Sequence, residues 1–379
     1  MPTKLFFSTA TLAFLLSSLV GVNFINNKKT ENHYNFYSNE NSSFEAVPIV
    51  GAVGPETYVF DHFGEGPYTG VSDGRIIKWR EDQRQWINFA VTSSNRSGCE
   101  GQHDHDRTEH VCGRPLGLRF NQTNGDLYIA DAYMGLLIVG PEGGLATRLA
   151  NEAQGIPFGF TNSVDIDEWN GFVYFTDSTL HYQRRNYISV ILSGDKSGRL
   201  MKYDPQSKRV DVLLDNLSFP NGVAMSQNGD YIVVAETSEC RIIRYWLRTS
   251  KAGSSEVFAQ LPGFPDNIKR SPRGGFWVGI HSRREWIVGR IVSHPVIGKT
   301  LLKLLPFDMI MKAYGQFGRW RGTTGLAMRL SERGQVLDVL EEDKTTISNT
   351  WRTVSEVKEK DGTLWIGSIN KPFAAKYKV

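Results

Sequence analysis

Glu56, Asn162, Asn221 and Asp266 each open the same kind of run: an apolar strand, a Gly-containing turn, then a strand with an aromatic near its middle. Asn221 begins NGVAMS, followed by QNGD and YIVVAET; Asn162 begins NSVDID, followed by EWNG and FVYFTD. Glu56 opens ETYVFD before GPYTG, and Asp266 opens DNIKRS before GGFWVG. If each run is one blade of a ring, the four side chains point at one axis, where a hard cation could sit. Calcium takes about six to eight oxygen ligands, which carboxylates and Asn carbonyls provide. Glu56 and Asp266 would match the charge of the ion, and Asn162, Asn221 and Asn267 would add neutral oxygens. A coordination position left open makes such an ion a Lewis acid that can polarise a carbonyl or phosphoryl oxygen, or activate water. Asp266 and Asn221 are the candidates nearest the chemistry. Taken singly, each is open to a structural reading, and Asn221 before Gly222 could be a plain turn residue. The shared position within the units carries the joint reading.

These residues need elements that repeat. Gly is abundant (37 residues), and turn dipeptides punctuate the chain: NG at 124–125, 170–171, 221–222 and 228–229, DG at 73–74 and 361–362. Short strands with turn signals at this spacing point to an all-β barrel, sandwich or propeller. Six units begin near Glu56, Pro115, Asn162, Asn221, Asp266 and Thr353. The third shows the full pattern, NSVDID, FVYFTD, GRLMKYD and KRVDVLLD, four antiparallel strands in sequence as in a propeller blade. The last unit has only RTVSEV, TLWIGS and AAKYKV, so residues 46–50 are expected to supply its fourth strand and remove a free sheet edge. The fold predicted is an all-β, six-bladed β-propeller with four-stranded antiparallel blades and short helical inserts. Two inserts interrupt it, HYQRRNYISVIL at 181–192 and the apolar LLKLLPFDMIMKAYG at 300–315, the latter too short to span a bilayer. Each could be a lid over the channel mouth or packing against a blade edge.

The 379 residues carry a formal charge of only +3, and no basic tract is interleaved with aromatics, so nothing supports nucleic-acid binding. Lys4 precedes an apolar stretch over 5–22, which reads as a secretory signal, or as an uncleaved anchor giving membrane contact. The organisation expected is a signal or anchor over 1–25, a flexible Asn-rich spacer over 26–45 and the propeller over 46–379. In an oxidising lumen Cys99 and Cys112 could close a short polar loop, contributing about 3 kcal/mol in the chain-entropy model. Cys240 is then left over as a buried thiol in a strand. Sequons at Asn41, Asn95, Asn121 and Asn216 are candidate glycosylation sites and fit the lumenal reading.

His103, His105 and His110 lie in HDHDRTEH between two of the cysteines, where a solvated loop is favoured over a transition-metal site. His281 in GGFWVGIHSRRE could reach the channel as a base, or be a satisfied rim histidine. There is no Gly-x-Ser-x-Gly elbow, HExxH or phosphate loop, so a triad hydrolase or nucleotide enzyme is not indicated.

The run GDKSGRLMKYDPQSKRVDVLLDNLSFPNGVAMSQNGDYIVVAETSECRIIRYWL resembles the core of the strictosidine synthase-like proteins of plants. So do GPETYVFD, GPYTGVSDGRIIKW, CGRPLGLRF, GDLYIADAYMGL, HYQRRNYISVIL, FPDNIKR and DGTLWIGS, from about residue 47 to the C-terminus. The resemblance implies a six-bladed propeller, and the family's short-loop disulfide falls on Cys99 and Cys112. Strictosidine synthase condenses tryptamine with secologanin in the vacuole, using a glutamate in the last blade. That position is Ser355 here, and the histidine two residues earlier falls on Thr353. Glu356 is adjacent, but successive strand residues face opposite sides of a sheet. A serine hydroxyl does not supply the proton transfers of a positioned carboxylate, so the departure argues against alkaloid formation.

The fold implied is also similar to that of paraoxonases and related calcium-dependent lactonases. Their catalytic calcium ligands fall on Glu56, Asn162, Asn221, Asp266 and Asn267, an intact set. Their histidine base falls on Leu116, and their second calcium uses positions that are Thr57 and Ser163, so one ion is expected. Together these readings predict a calcium-dependent hydrolase of small-molecule esters or lactones in the vacuole or ER lumen, or outside the cell. A strictosidine synthase-type condensing enzyme and a non-catalytic binding propeller are the alternatives.

Overall fold

Short strands, the inner ones buried along both faces, build six blades arranged radially around a central channel. The computed structural model describes residues 35–36, 44–321, 325–341 and 353–378. The apolar segment over 1–25 and the sequon at Asn41 lie outside them. Blade 2 runs Pro115–Phe120, Leu127–Asp131, Gly135–Val139 and Thr147–Ala150; blade 3 runs Thr161–Ile166, Val173–Asp177, Gly198–Asp204 and Arg209–Leu217. Blade 4 follows as Pro220–Met225, Tyr231–Glu236, Arg241–Trp246 and Ser255–Gln260, and blade 5 as Gly263–Arg270, Phe276–Arg283, Leu326–Leu330 and Val336–Glu341. In blade 1 the strands Tyr68–Gly70, Arg75–Arg80 and Gln85–Val91 are regular, while the segment carrying Glu56 is held by a single bridge, Val59 to Tyr68.

Blade 6 consists of Glu356–Lys360, Thr363–Gly367 and Phe373–Lys378, completed by Phe44–Pro48 from the other end of the chain. That closing strand begins at Phe44, two residues earlier than the sequence reading placed the propeller's start, and pairs Val47 with Ala374. Residues 35–36, expected as spacer, pair in parallel with Asp338 and Val339 at the outer edge of blade 5.

The core is a set of seams between neighbouring blades rather than one centre. Blades 4 and 5 share Val233, Ile242, Phe276 and Val278, and blades 5 and 6 share Trp277, Leu340, Leu364 and Ile366. The seam that closes the ring holds Val47, Trp365, Tyr58 and Trp79. Each large apolar side chain buried there contributes about 1.5–3 kcal/mol, so every blade is stabilised mainly by its two neighbours.

Both inserts are helical and both sit at the same end of the channel. The first, between the second and third strands of blade 3, forms the helix Tyr187–Ser193. The second lies at the same place in blade 5 and is longer than the apolar run suggested, with helices Trp286–Val292, Pro295–Leu304 and Phe307–Arg321. Gly298 lets the two inserts touch, because a Cβ there would lie 1.8 Å from the Leu192 carbonyl oxygen.

Cys99 and Cys112 form a disulfide, and Cys240 is a buried free thiol. Cys240 does not lie in a strand as expected. It occupies a left-handed position (φ 54°) just before Arg241–Trp246. Asn95 and Asn216 are exposed, and Asn121 is half-buried.

Candidate functional site

A recurrent bulge aims the candidate ligands. In blades 2 to 5 the pairing of the first two strands slips between Pro115 and Gly117, Thr161 and Val164, Pro220 and Val223, and Pro265 and Ile268. A bulge breaks the alternation of faces and re-aims a side chain. The residues within these slips are Leu116 and the pairs Asn162–Ser163, Asn221–Gly222 and Asp266–Asn267. Asn221 is therefore a strand residue and not the turn residue its Asn-Gly pair allowed. Gly222 instead permits close approach: a Cβ there would meet the Ile268 nitrogen at 2.4 Å and the Asn267 Cα at 2.6 Å. Gly117 stands in the same way against Ser163 and Asn162, and Gly367 against the Glu56 carbonyl.

Glu56, Asn162, Asn221 and Asp266 line one end of a cavity of about 330 Å³, and Asn267 reaches the group through Glu56. All five are buried. The Asn267 amide nitrogen donates to Glu56 Oε1 at 3.2 Å, and the Asn162 amide nitrogen donates to Ser178 Oγ at 3.0 Å. These bonds orient each amide with its oxygen free. Glu56 Oε2 and the Oδ1 atoms of Asn162, Asn221 and Asn267 are buried with no hydrogen-bond partner among the described residues. Buried oxygens usually have donors, and an unsatisfied one costs about 1–3 kcal/mol.

The electrostatics point the same way. Burial, reinforced by the Glu56 charge, pushes the Asp266 carboxyl well above its ordinary range against hydrogen bonds from Ser355 and Asn221. Burial also raises Glu56, opposed by the Arg114 and Arg184 guanidiniums. Two desolvated carboxyls beside unpartnered amide oxygens form an all-oxygen, acidic donor set of the kind a hard divalent cation satisfies. Among the described residues no group of three or more His, Cys, Asp or Glu side chains converges, so the gathering depends on the asparagines.

The rest of the cavity is apolar. Leu116, Phe160, Phe219 and Phe264 come from the blades, Ile188 and Ile191 from the first insert, and Val288, Leu301, Leu305 and Ile310 from the second. Both inserts thus wall the cavity, and they pack on each other. Further polar members of this wall, Arg184, Tyr187, Thr237, Ser282 and Tyr314, went unmarked in the sequence. Arg184 is held by Asp106 at 2.8 Å and Glu109 at 2.9 Å, partners about 75 residues distant in sequence that no local pattern reveals. His281 lines the wall with its ring 6.1 Å from that of Tyr187, and burial lowers its pKa to about 4. It is a neutral imidazole at pH 7.

Ser355 is buried next to Asp266, its hydroxyl accepting from the Ile369 amide at 3.2 Å, and Thr353 pairs with Ser368. Glu356 faces blade 1 instead, accepting from the Thr57 hydroxyl and from the Tyr58 amide at 2.9 Å, with the Lys269 ammonium 3.7 Å away. It does not take the place of a carboxylate at position 355. In the loop closed by the disulfide, His105 Nδ1 meets Ser72 Oγ at 2.8 Å and its ring packs edge-on to His103. The opposite channel mouth is charged, with Arg119, Asp165, Lys269 and Lys358 around a cavity of about 470 Å³.

A family model described as strictosidine synthase matches residues 162–250. The chain is similar to protein strictosidine synthase-like 2 of Arabidopsis thaliana, with 56% identity over 89% of each chain. It is 49% identical to strictosidine synthase-like 10 of the same plant over 88% of each. Among solved structures, a luciferin-regenerating enzyme aligns with TM-score 0.55 and 12% identity, covering 89% of this chain and 95% of that one. A gluconolactonase of Xanthomonas campestris gives TM-score 0.53 and 13% identity over 88% and 97%. The calcium-binding protein regucalcin of Agrobacterium tumefaciens gives 0.53 and 12% over 87% and 93%. At these identities the likeness to solved structures shows the fold alone.

Proposed function

The chain belongs to the strictosidine synthase-like family, and from that premise we propose that it is a calcium-dependent hydrolase of apolar esters or lactones. The observation that carries this reading is the set of four buried, unpartnered oxygens beside Asp266 at the end of an apolar cavity. Glu56, Asn162, Asn221, Asp266 and Asn267 would hold one calcium ion. Bound there, the ion supplies Lewis-acid polarisation of a substrate carbonyl oxygen.

The chain's own residues do the rest. The Leu, Ile and Phe side chains of the wall hold the apolar part of the substrate and exclude bulk water. The water oxygen bonds to the carbonyl carbon as the carbon–oxygen bond to the leaving alcohol breaks. Asp266 takes the water's proton and returns it to the departing alkoxide. Ser355 hydrogen-bonds Asp266 and orients it, and it cannot act as the glutamate whose position it occupies. Lumenal location, in vacuole, ER or outside the cell, is part of the proposal. The Cys99–Cys112 disulfide and the exposed sequons at Asn95 and Asn216 support it.

The test is to assay the purified chain against aryl esters and lactones of graded chain length, with and without a chelator. Chelation should abolish turnover, and Asn221→Ala and Asp266→Asn should each lower kcat/KM by roughly 10²-fold or more. Hydrolysis indifferent to chelator sinks the proposal. Tight calcium binding without turnover on any substrate leaves a binding propeller in its place.

A further inference from the structure

The helices that wall the cavity have a second face, and its chemistry differs from the rest of the surface. Among the described residues, Trp286, Val296, Ile297, Leu304 and Met309 are exposed, Val296 and Leu304 by 76% and 73%. Exposed large apolar side chains elsewhere, such as Phe63, Trp169 and Val257, are scattered along the chain, which is ordinary for a protein surface. Here five fall within 24 residues on packed helices. Charge is concentrated in the same place. Arg290, Lys299, Lys303 and Lys312 against the single acid Asp308 give residues 286–316 the whole +3 formal excess of the chain. All four basic side chains are exposed.

The spacing separates two faces. In Pro295–Leu304, Gly298 packs on the first insert and Leu301 lines the cavity, while Val296, Lys299 and Lys303, at i, i+3 and i+7, point the other way. Among the described residues no helix is long and apolar enough to cross a membrane. A helix with one apolar-and-basic outer face lies in the plane of a lipid surface instead. Lysines and arginines next to that face are attracted by anionic headgroups.

We propose that the outer face of the helix Pro295–Leu304, with the exposed Trp286, Arg290, Met309 and Lys312 of the helices beside it, seats the protein on an anionic lipid surface. The apolar side chains enter the headgroup boundary and the basic ones meet lipid phosphate and carboxylate. The cavity then lies directly beneath the contact, separated from lipid by the thickness of the insert. This surface does not depend on hydrolysis by the site below it.

The experiment is vesicle cosedimentation of the full chain with phosphatidylcholine, alone or mixed with phosphatidylserine. The variants are Val296→Glu/Leu304→Glu and Lys299→Glu/Lys303→Glu, whose positions are exposed, with near-UV circular dichroism confirming an unchanged fold. Each should partition about tenfold or more weakly onto phosphatidylserine vesicles than the wild type. An environment-sensitive dye on Leu304→Cys should brighten and blue-shift on the bound protein, whereas the same dye on Gln206→Cys, at the far end of blade 3, should not. Equal partitioning of wild type and variants overturns the proposal, because binding then belongs to the apolar stretch over 5–22. An unchanged signal from the dye at 304 on bound protein overturns it too. So does a concentration-dependent dimer that the variants abolish, since the face would then join two copies.

Discussion

An amide oxygen buried without a donor is a standing cost, and among the described residues Asn162, Asn221 and Asn267 each carry one around two desolvated carboxyls. The Asn162 and Asn267 amide nitrogens donate to Ser178 and Glu56, so their free oxygens are a consequence of packing and not of loose side chains. A second residue-scale cost lies at the opposite mouth. Burial, with repulsion from Arg119 and Lys269, lowers the Lys358 ammonium to about 8. Between that value and the ordinary lysine range the folded chain has released its proton while the unfolded chain still holds it, so folding gains stability as pH rises through this window. Below pH 8 the penalty is present in full. Lys358→Met should therefore be more stable than wild type at pH 7, by about 1–2 kcal/mol after allowance for partial exposure. The gain should close as pH climbs past about 10, where lysine is neutral in both states. Urea unfolding across that range measures it, and a variant no more stable than wild type at pH 7 contradicts the assignment.

At the scale of the element, the bulge at the channel end of four inner strands converts a repeated strand into a converging site. Glycines complete the device. Replacing Gly222 by Ala forces a Cβ onto the Asn267 and Ile268 backbone, so Gly222→Ala should cost about 2–3 kcal/mol and weaken metal binding together. Thermal unfolding with and without calcium would separate the two effects, and an Ala variant with unchanged affinity would argue against the close approach. The residues that converge on the cavity were legible in the sequence because Glu56, Asn162, Asn221 and Asp266 recur at one phase of a repeating unit. The bulge was not legible, since it adds no distinctive residue type. Its Asn-Gly mark reads equally as a turn. The Arg184–Glu109 pair and the polar wall were hidden for a different reason: their partners are joined only by the ring.

The molecule as a whole depends on closing that ring. The missing fourth strand of the last unit was legible by counting, and its start at Phe44 differs by two residues because an edge strand has no sharp turn signal before it. Val47 is buried in the closing seam against Tyr58, Trp79 and Trp365. Val47→Asp should therefore destabilise the whole propeller by about 3 kcal/mol or more, as an unpaired buried charge. Loss confined to one blade, with a second transition left near the wild-type temperature, would contradict closure as the source of cooperativity. The helical insert's extent was misjudged from sequence because Ser293 and His294, ahead of Pro295, separate WIVGRIV from PVIGKTLLKL and break the apolar run that continues over 300–315. Whether a calcium ion occupies the channel is decided by calcium titration into chelator-treated protein, following heat and the thermal midpoint together. The account predicts one ion per chain and a midpoint rising with calcium, equivalent to about 2.7 kcal/mol at a hundredfold excess over Kd, both lost in Asn221→Ala. No heat and no shift at millimolar calcium would contradict it.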